Sequence, residues 1–205
     1  KVSIPDSVTS IGSYAFAFNE LKEVTIGASV TEIGAQSFAF NQLTSIVIPD
    51  SVFSIKGYAF QDNNLKEVIL SDSVENIGDW AFAYNELTSV TIPNSVTSIG
   101  KWAFSNNKLT SITIPDSVTS IGKWAFNDNQ LTKIILPDSV ESIGDFAFLN
   151  NNLTTVTIPN SVTSIGEWAF SFNDLIEVTI PDSVTSIGKF AFNNQSTSAV
   201  LTIYG

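Results

Sequence analysis

The apolar positions of the chain recur at a fixed step of 22 residues. Ile4, Ile26, Ile48, Leu70, Ile92, Ile114, Leu136, Ile158 and Ile180 mark the step, each standing before a turn that usually begins with proline. With that residue as position 1, the repeat reads I-P-D-S-V-T-S-I-G-x-W-A-F-x-x-N-x-L-T-x-V-T. Position 5 is Val from Val8 to Val184, position 8 is Ile from Ile11 to Ile187, and position 13 is Phe from Phe16 to Phe192. Position 18 is Leu from Leu21 to Leu175, position 21 is Val or Ile, and position 12 is Ala except at Ser37. A large apolar side chain is worth about 1.5–3 kcal/mol when fully buried. A single coil has no second layer to bury it against, so the coils must stack. The pattern predicts a repeat solenoid of nine 22-residue coils, each coil forming the core of the next.

Positions 20 to 1 alternate. They predict a short strand with positions 21 and 1 inward and positions 20 and 22 outward. Proline at position 2 has no N–H for a ladder and ends the strand, and the Asp-Ser that usually follows is turn chemistry. Strands stacked about 4.8 Å apart make one parallel sheet, on the order of 40 Å long over nine coils. Glycine at position 9 implies a positive φ or a close approach. Lys56 takes that place in the third copy and Gly57 follows, which predicts a local backbone shift. The segment xWAFxxN has room for one helical or 3-10 turn. The ninth copy degrades at residues 193–197 and gains one residue before Leu201, Thr202 and Ile203.

The combined motif LxxIxIPxxVxxIGxxAFxxNxxL resembles the BspA-like leucine-rich repeats, also called the Treponema pallidum type, across all nine copies. The resemblance implies a leucine-rich repeat right-handed superhelix. Its parallel β-sheet lies on the concave face, with short turns or 3-10 segments on the convex side. It further implies an extracellular, cell-surface bacterial protein that engages host proteins, other bacteria or glycans. One position departs from the family: position 16, where cysteine is frequent, is Asn from Asn19 to Asn173. An amide there can donate and accept along the stack and to loop backbone. Lys1, Val2 and Ser3 fit positions 20 to 22, so the chain begins inside a strand, and no polar capping repeat is evident. Residues 1–205 therefore read as a single leucine-rich repeat domain taken from a longer protein.

Charge and composition narrow the function. Among 205 residues, 20 Asp and Glu face 9 lysines and no arginine, for a formal net charge of −11. Nucleic acids require cations to neutralise phosphate, and anionic lipid surfaces require the same, so both are discounted as partners. No apolar run approaches the roughly 18 residues of a membrane span, and KVSIPDSV lacks the layout of a signal peptide. The absence of His and Cys excludes Ser-His-Asp and Cys-His triads, so the chain reads as a non-enzyme with no cofactor and no metal site. The row Asp6, Asp50, Asp72, Asp116, Asp138 and Asp182 at position 3 raises the question of calcium. Asn94, Asn160 and Ala28 interrupt it, and calcium needs six or more oxygens per ion. Turn capping after the proline is the favoured reading.

Two surfaces remain as candidate binding sites. The outer strand face carries Ser89, Thr91, Ser111, Thr113, Lys133, Ile135, Thr155 and Thr157 across its middle, and Glu23, Thr25, Glu67 and Ile69 toward the N-terminus. The second surface is position 11, with Trp80, Trp102, Trp124 and Trp168 among eight aromatic copies. Aromatics one coil apart can stack on one another, the favoured reading. Alternatively an exposed strip can hold sugar rings or a protein. Position 15 holds Phe18, Phe40, Tyr84 and Phe172, but Asp or Asn elsewhere, which suggests tolerance. The leading expectation is a binding or adhesion module with an unidentified surface protein or glycan as partner. A structural spacer that presents another domain is the alternative, favoured by the near-identity of the middle copies. The hydroxyl pairs Ser89/Thr91, Ser111/Thr113 and Thr155/Thr157 leave ice binding as a minor alternative, broken by Val47, Ile69 and Ile135.

Overall fold

The computed structural model describes residues 1–195 and 202–204. It is a parallel-strand solenoid with strands recurring at the 22-residue step. The outer strand falls where the alternation places it, at positions 20–22. The Ser111–Thr113, Lys133–Ile135, Thr155–Thr157 and Glu177–Thr179 strands pair in parallel register, with Ile112 opposite Ile134 and Val156 opposite Val178. In each of these strands the middle residue is buried and its two neighbours are exposed.

The expected single sheet is corrected to two ladders, the first of them broken into three sheets. A second ladder of two-residue strands at positions 7–8 runs from Ser10–Ile11 to Ser186–Ile187 as one nine-stranded sheet. It is the more continuous of the two. A strand two residues long carries no alternation, and its apolar neighbours, positions 5 and 8, are three residues apart, so the pattern did not reveal it. These rungs number nine, but the coils close only about eight complete turns.

The third wall, positions 9–17, contains no helix among the described residues; turns replace the expected helical or 3-10 segment. Two turns succeed each other: Ala103 N–H donates to Gly100 O and Ser105 N–H to Trp102 O. The amides between them point to the next coil, Trp102 to Lys123 O, Phe104 to Ala125 O and Asn106 to Asn127 O, all at 2.9–3.0 Å. Alternating bonds of this kind satisfy the wall's buried amides. They need a left-handed backbone at positions 11 and 15, where all 18 non-glycine positive φ values of the described residues fall. No glycine has one. Position 9 is glycine because of close approach: a Cβ on Gly34 would lie 2.4 Å from Ile11 O. The shift expected at Lys56 is absent. Its N–H donates to Ile33 O at 2.9 Å as at other coils, because Ser54–Ile55 is paired in register on both sides.

Two columns run through the interior beside the buried Val, Ile and Leu positions. The position-13 rings stack in parallel from Phe16 to Phe192 at 5.3–5.6 Å. Beside them runs the asparagine column. Asn107 Nδ2 donates to Phe82 O, Phe104 O and Ser105 O, and its Oδ1 accepts from Leu87 N–H at 3.0 Å. This amide donates and accepts along the stack, as expected of position 16. Gln195 takes the role in the ninth coil, accepting from Leu175 N–H and donating to Phe170 O. The gain after it is three residues rather than one, since Ile203 pairs with Val178, 25 residues before it.

Phe126 is fully buried between Phe104 and Phe148. Replacing it with alanine removes both ring contacts and leaves a cavity, so Phe126→Ala is expected to cost about 3–5 kcal/mol in denaturant melts. A loss below about 1 kcal/mol contradicts the inward register.

Candidate functional site

The strand-face set is brought together. Ser111 lies beside Lys133, Thr113 beside Ile135 on one side and Thr91 on the other, and Lys133 beside Thr155. All are exposed, as is Ser89. Ile135, Val47 and Ile69 on the same face are 62%, 58% and 51% exposed, so hydroxyls alternate with bare aliphatic groups. The ladder is also interrupted: no pairing joins Val24–Thr25 to Ser45–Val47, or Glu67–Ile69 to the next coil. A face that is both interrupted and studded with aliphatic groups lacks the regular hydroxyl lattice that ice binding calls for.

The tryptophan set forms a column on the turn wall. Trp80, Trp102 and Trp124 stack at 4.4 Å, Phe146 follows Trp124 at 3.9 Å, and Trp168 lies 6.5 Å beyond. Tyr58 extends the column at one end and Phe190 at the other. The tryptophans are half-buried because each ring covers its neighbour's face. Sugar recognition by an aromatic ring needs an open face. Trp102 and Trp124 have a ring against each face, which is the stacking favoured from the sequence. Their left-handed φ of 60° and 61° costs about 1–2 kcal/mol in a residue with a Cβ. Aromatic pairs contribute about 0.5–1.5 kcal/mol beyond area burial, so stacking on both faces offsets that strain. Position 15 has the same backbone, which explains its Asp and Asn: Asp62, Asn106, Asp128 and Asn150 have φ of 50–55°. Tyr84 and Phe172 at this position lie against Trp80 and Trp168.

Asp6, Asp79 and Asp145 each accept a backbone N–H from the next coil. Asp6 Oδ1 accepts from Ala28 N–H, and the turn it belongs to is closed by Val8 N–H donating to Pro5 O. The position-4 serine does more than the turn chemistry expected of it: Ser95 Oγ donates to Val74 O and Ser117 Oγ to Val96 O, both at 2.6 Å, binding position 4 to the preceding coil. Its signal was present, since position 4 is Ser in all nine copies. Among the described residues no three His, Cys, Asp or Glu side chains come together as a metal site. Lys123 Nζ lies 2.6 Å from Asp145, which also accepts from Glu167 N–H. The Lys123 hydrogen bond holds the Asp145 carboxyl below the usual carboxylate range. Burial pushes Asp62 up. No helix of the described residues is long and apolar enough to cross a membrane.

The family model for the BspA type leucine rich repeat region (6 copies) matches residues 1–109 and 97–203. A leucine-rich repeat protein from Bacteroides ovatus is 29% identical over 93% of this chain and 54% of its own, with a TM-score of 0.76. A leucine rich cell surface protein from Faecalibacterium prausnitzii is 29% identical over 93% of this chain and 69% of its own, at a TM-score of 0.52. The pneumococcal vaccine antigen PcpA shares the fold at 22% identity and a TM-score of 0.62, over 96% of this chain and 57% of its own. The chain thus spans about half the length of the Bacteroides protein. A comparison with curated proteins finds no matching sequence.

Because the Asp145 carboxyl is depressed in the fold, it stabilises above the ordinary Asp value and stops doing so as pH falls through its folded value. Asp145→Asn is therefore expected to melt below the parent near pH 7, with the gap closing below about pH 4. An unchanged gap at about pH 2 contradicts this.

Proposed function

Since the chain belongs to the BspA-type leucine-rich repeat family, we propose that it is a non-catalytic binding module of a bacterial surface protein. The outer face of its first strand ladder holds a protein or glycan partner. The observation that carries this reading is the change of charge from coil to coil on the exposed strand face. Position 20 runs Glu23, Ser45, Glu67, Ser89, Ser111, Lys133, Thr155 and Glu177, while positions 5, 8 and 13 never change. Core identity maintains the coil, so coil-to-coil change on the outer face is free to serve recognition. The aliphatic groups of Val47, Ile69 and Ile135 supply area that a partner can cover. The net charge of −11 favours neutral or basic partners and opposes nucleic acid. An extracellular placement draws support from the cell-surface description of the Faecalibacterium relative.

A second reading has its own observation. Residues 95–104 and 117–126 are identical in sequence, as suits a spacer that repeats for length. A glycan and matrix-protein array separates the two readings, probed with the parent, with Lys133→Glu/Ile135→Lys on the strand face, and with Trp102→Ala/Trp124→Ala, each confirmed folded. The expected result is a signal retained by the tryptophan variant and lost by the strand-face variant. A signal lost only in the tryptophan variant moves the site to the turn wall. No signal with the parent leaves the spacer reading.

A further inference from the structure

The strand face is divided by the repeat's own exceptions. Position 2 is proline in seven coils but Gly27 in the second and Ser71 in the fourth. Both exceptions draw their coil toward the one before it. Gly27 sits so close to the first coil that a Cβ would lie 2.5 Å from Pro5 O, a clash that only glycine avoids. Ser71 Oγ donates to Pro49 O at 3.2 Å. At these two junctions the position-1 amide adds a rung to the ladder: Ile4 N–H to Thr25 O and Ile48 N–H to Ile69 O, both 2.9 Å.

Each tightened pair leaves a gap on its far side. The first ladder is unpaired between Val24–Thr25 and Ser45–Val47, and again between Glu67–Ile69 and the following coil. A cleft of about 230 Å³ lies on the first gap, between Thr25, Ile26 and Val47. A cleft of about 220 Å³ lies on the second, between Ile69, Leu70 and Thr91. The Ser45–Val47 and Glu67–Ile69 strands pair between them, with Val47 beside Ile69 as an exposed aliphatic ridge. The clefts are two coil steps apart, about 9.6 Å at ordinary strand spacing.

We propose that the two clefts form one bidentate site for a basic polyproline II segment carrying apolar side chains three residues apart. This deepens the binding-module reading and rests on it. Polyproline II rises about 3.1 Å per residue with three residues per turn, so side chains i and i+3 share a face about 9.3 Å apart. The two residues between them point away from the ridge. An extended strand spaces same-face residues about 6.7 Å apart and misses the second cleft. An α-helix reaches about 10.5 Å at i+7, but its i+3 and i+4 side chains project from the same face into the ridge. Glu67 lines the second cleft, and the net charge of −11 adds attraction for a cationic segment.

The test is fluorescence anisotropy with a labelled synthetic peptide in which two leucines, separated by two prolines, are flanked by lysines. The parent is expected to bind saturably. Gly27→Pro/Ser71→Pro restores the repeat's own proline, closes both clefts and should weaken binding about tenfold or more. Ile69→Lys, at an exposed position that the fold does not need, should weaken it comparably and covers the case in which the proline variant misfolds. A peptide with adjacent leucines should lose the same affinity. Equal affinity across peptides or variants overturns the proposal, as does a parent that ignores the peptide. A parent that ignores the peptide but keeps its array signal leaves the binding module standing without the clefts. A parent that ignores both removes both.

Discussion

The amide of position 16 is the interaction on which the rest of the solenoid depends. A coil without helices leaves many backbone groups with no partner inside the coil, and a buried group left unmade costs about 1–3 kcal/mol. Asn107 shows how one side chain resolves this. Its Nδ2 serves carbonyls of its own coil and the preceding one, while its Oδ1 receives the Leu87 amide. The bond set recurs at Asn85 and Asn129, one coil away on either side. A thiol has one weak donor and cannot match it. The amide fixes how the turn wall sits over the phenylalanine column, and the turn wall in turn holds the tryptophans face to face.

Much of this was legible in the chain. Invariance at Val8, Ile11 and Phe16 and their equivalents reported burial, since a position filled identically in every coil meets the same neighbours in every coil. Alternation around Ile112 and Ile134 reported the outer strand. The second ladder left no trace, because two residues cannot show a period. The left-handed backbone was half legible. Asp62, Asn106, Asp128 and Asn150 carry its usual signature, but Trp102 and Trp124 conceal it, since their tolerance of the conformation comes from neighbours one coil away. The stacking of those tryptophans on one another was legible all the same, since aromatic residues recur at position 11 one coil apart. The breaks in the strand face were written plainly, as Gly27 and Ser71 in place of proline, but their consequence appears only where a coil has to choose between two neighbours.

Uniformity and exception therefore divide the labour. Identical rungs give a stiff, nearly one-dimensional scaffold in which stability sums over coils and interfaces. Departures from identity then become local features on a regular surface: a changed charge at Lys133, an aliphatic ridge at Val47 and Ile69, a cleft beside each missing proline. Such a surface can be altered one coil at a time without disturbing the columns beneath it, which suits a recognition scaffold.

The most direct test of this account is Asn107→Ala, followed by denaturant melts and amide hydrogen exchange. The Leu87 amide loses its acceptor, and the carbonyls of Phe82, Phe104 and Ser105 lose a donor. The account predicts a loss of about 3 kcal/mol or more, with exchange at Leu87 accelerated beyond that of amides in distant coils. A loss under about 1 kcal/mol with Leu87 still protected would contradict it. That result would assign the stacking to the phenylalanine column alone.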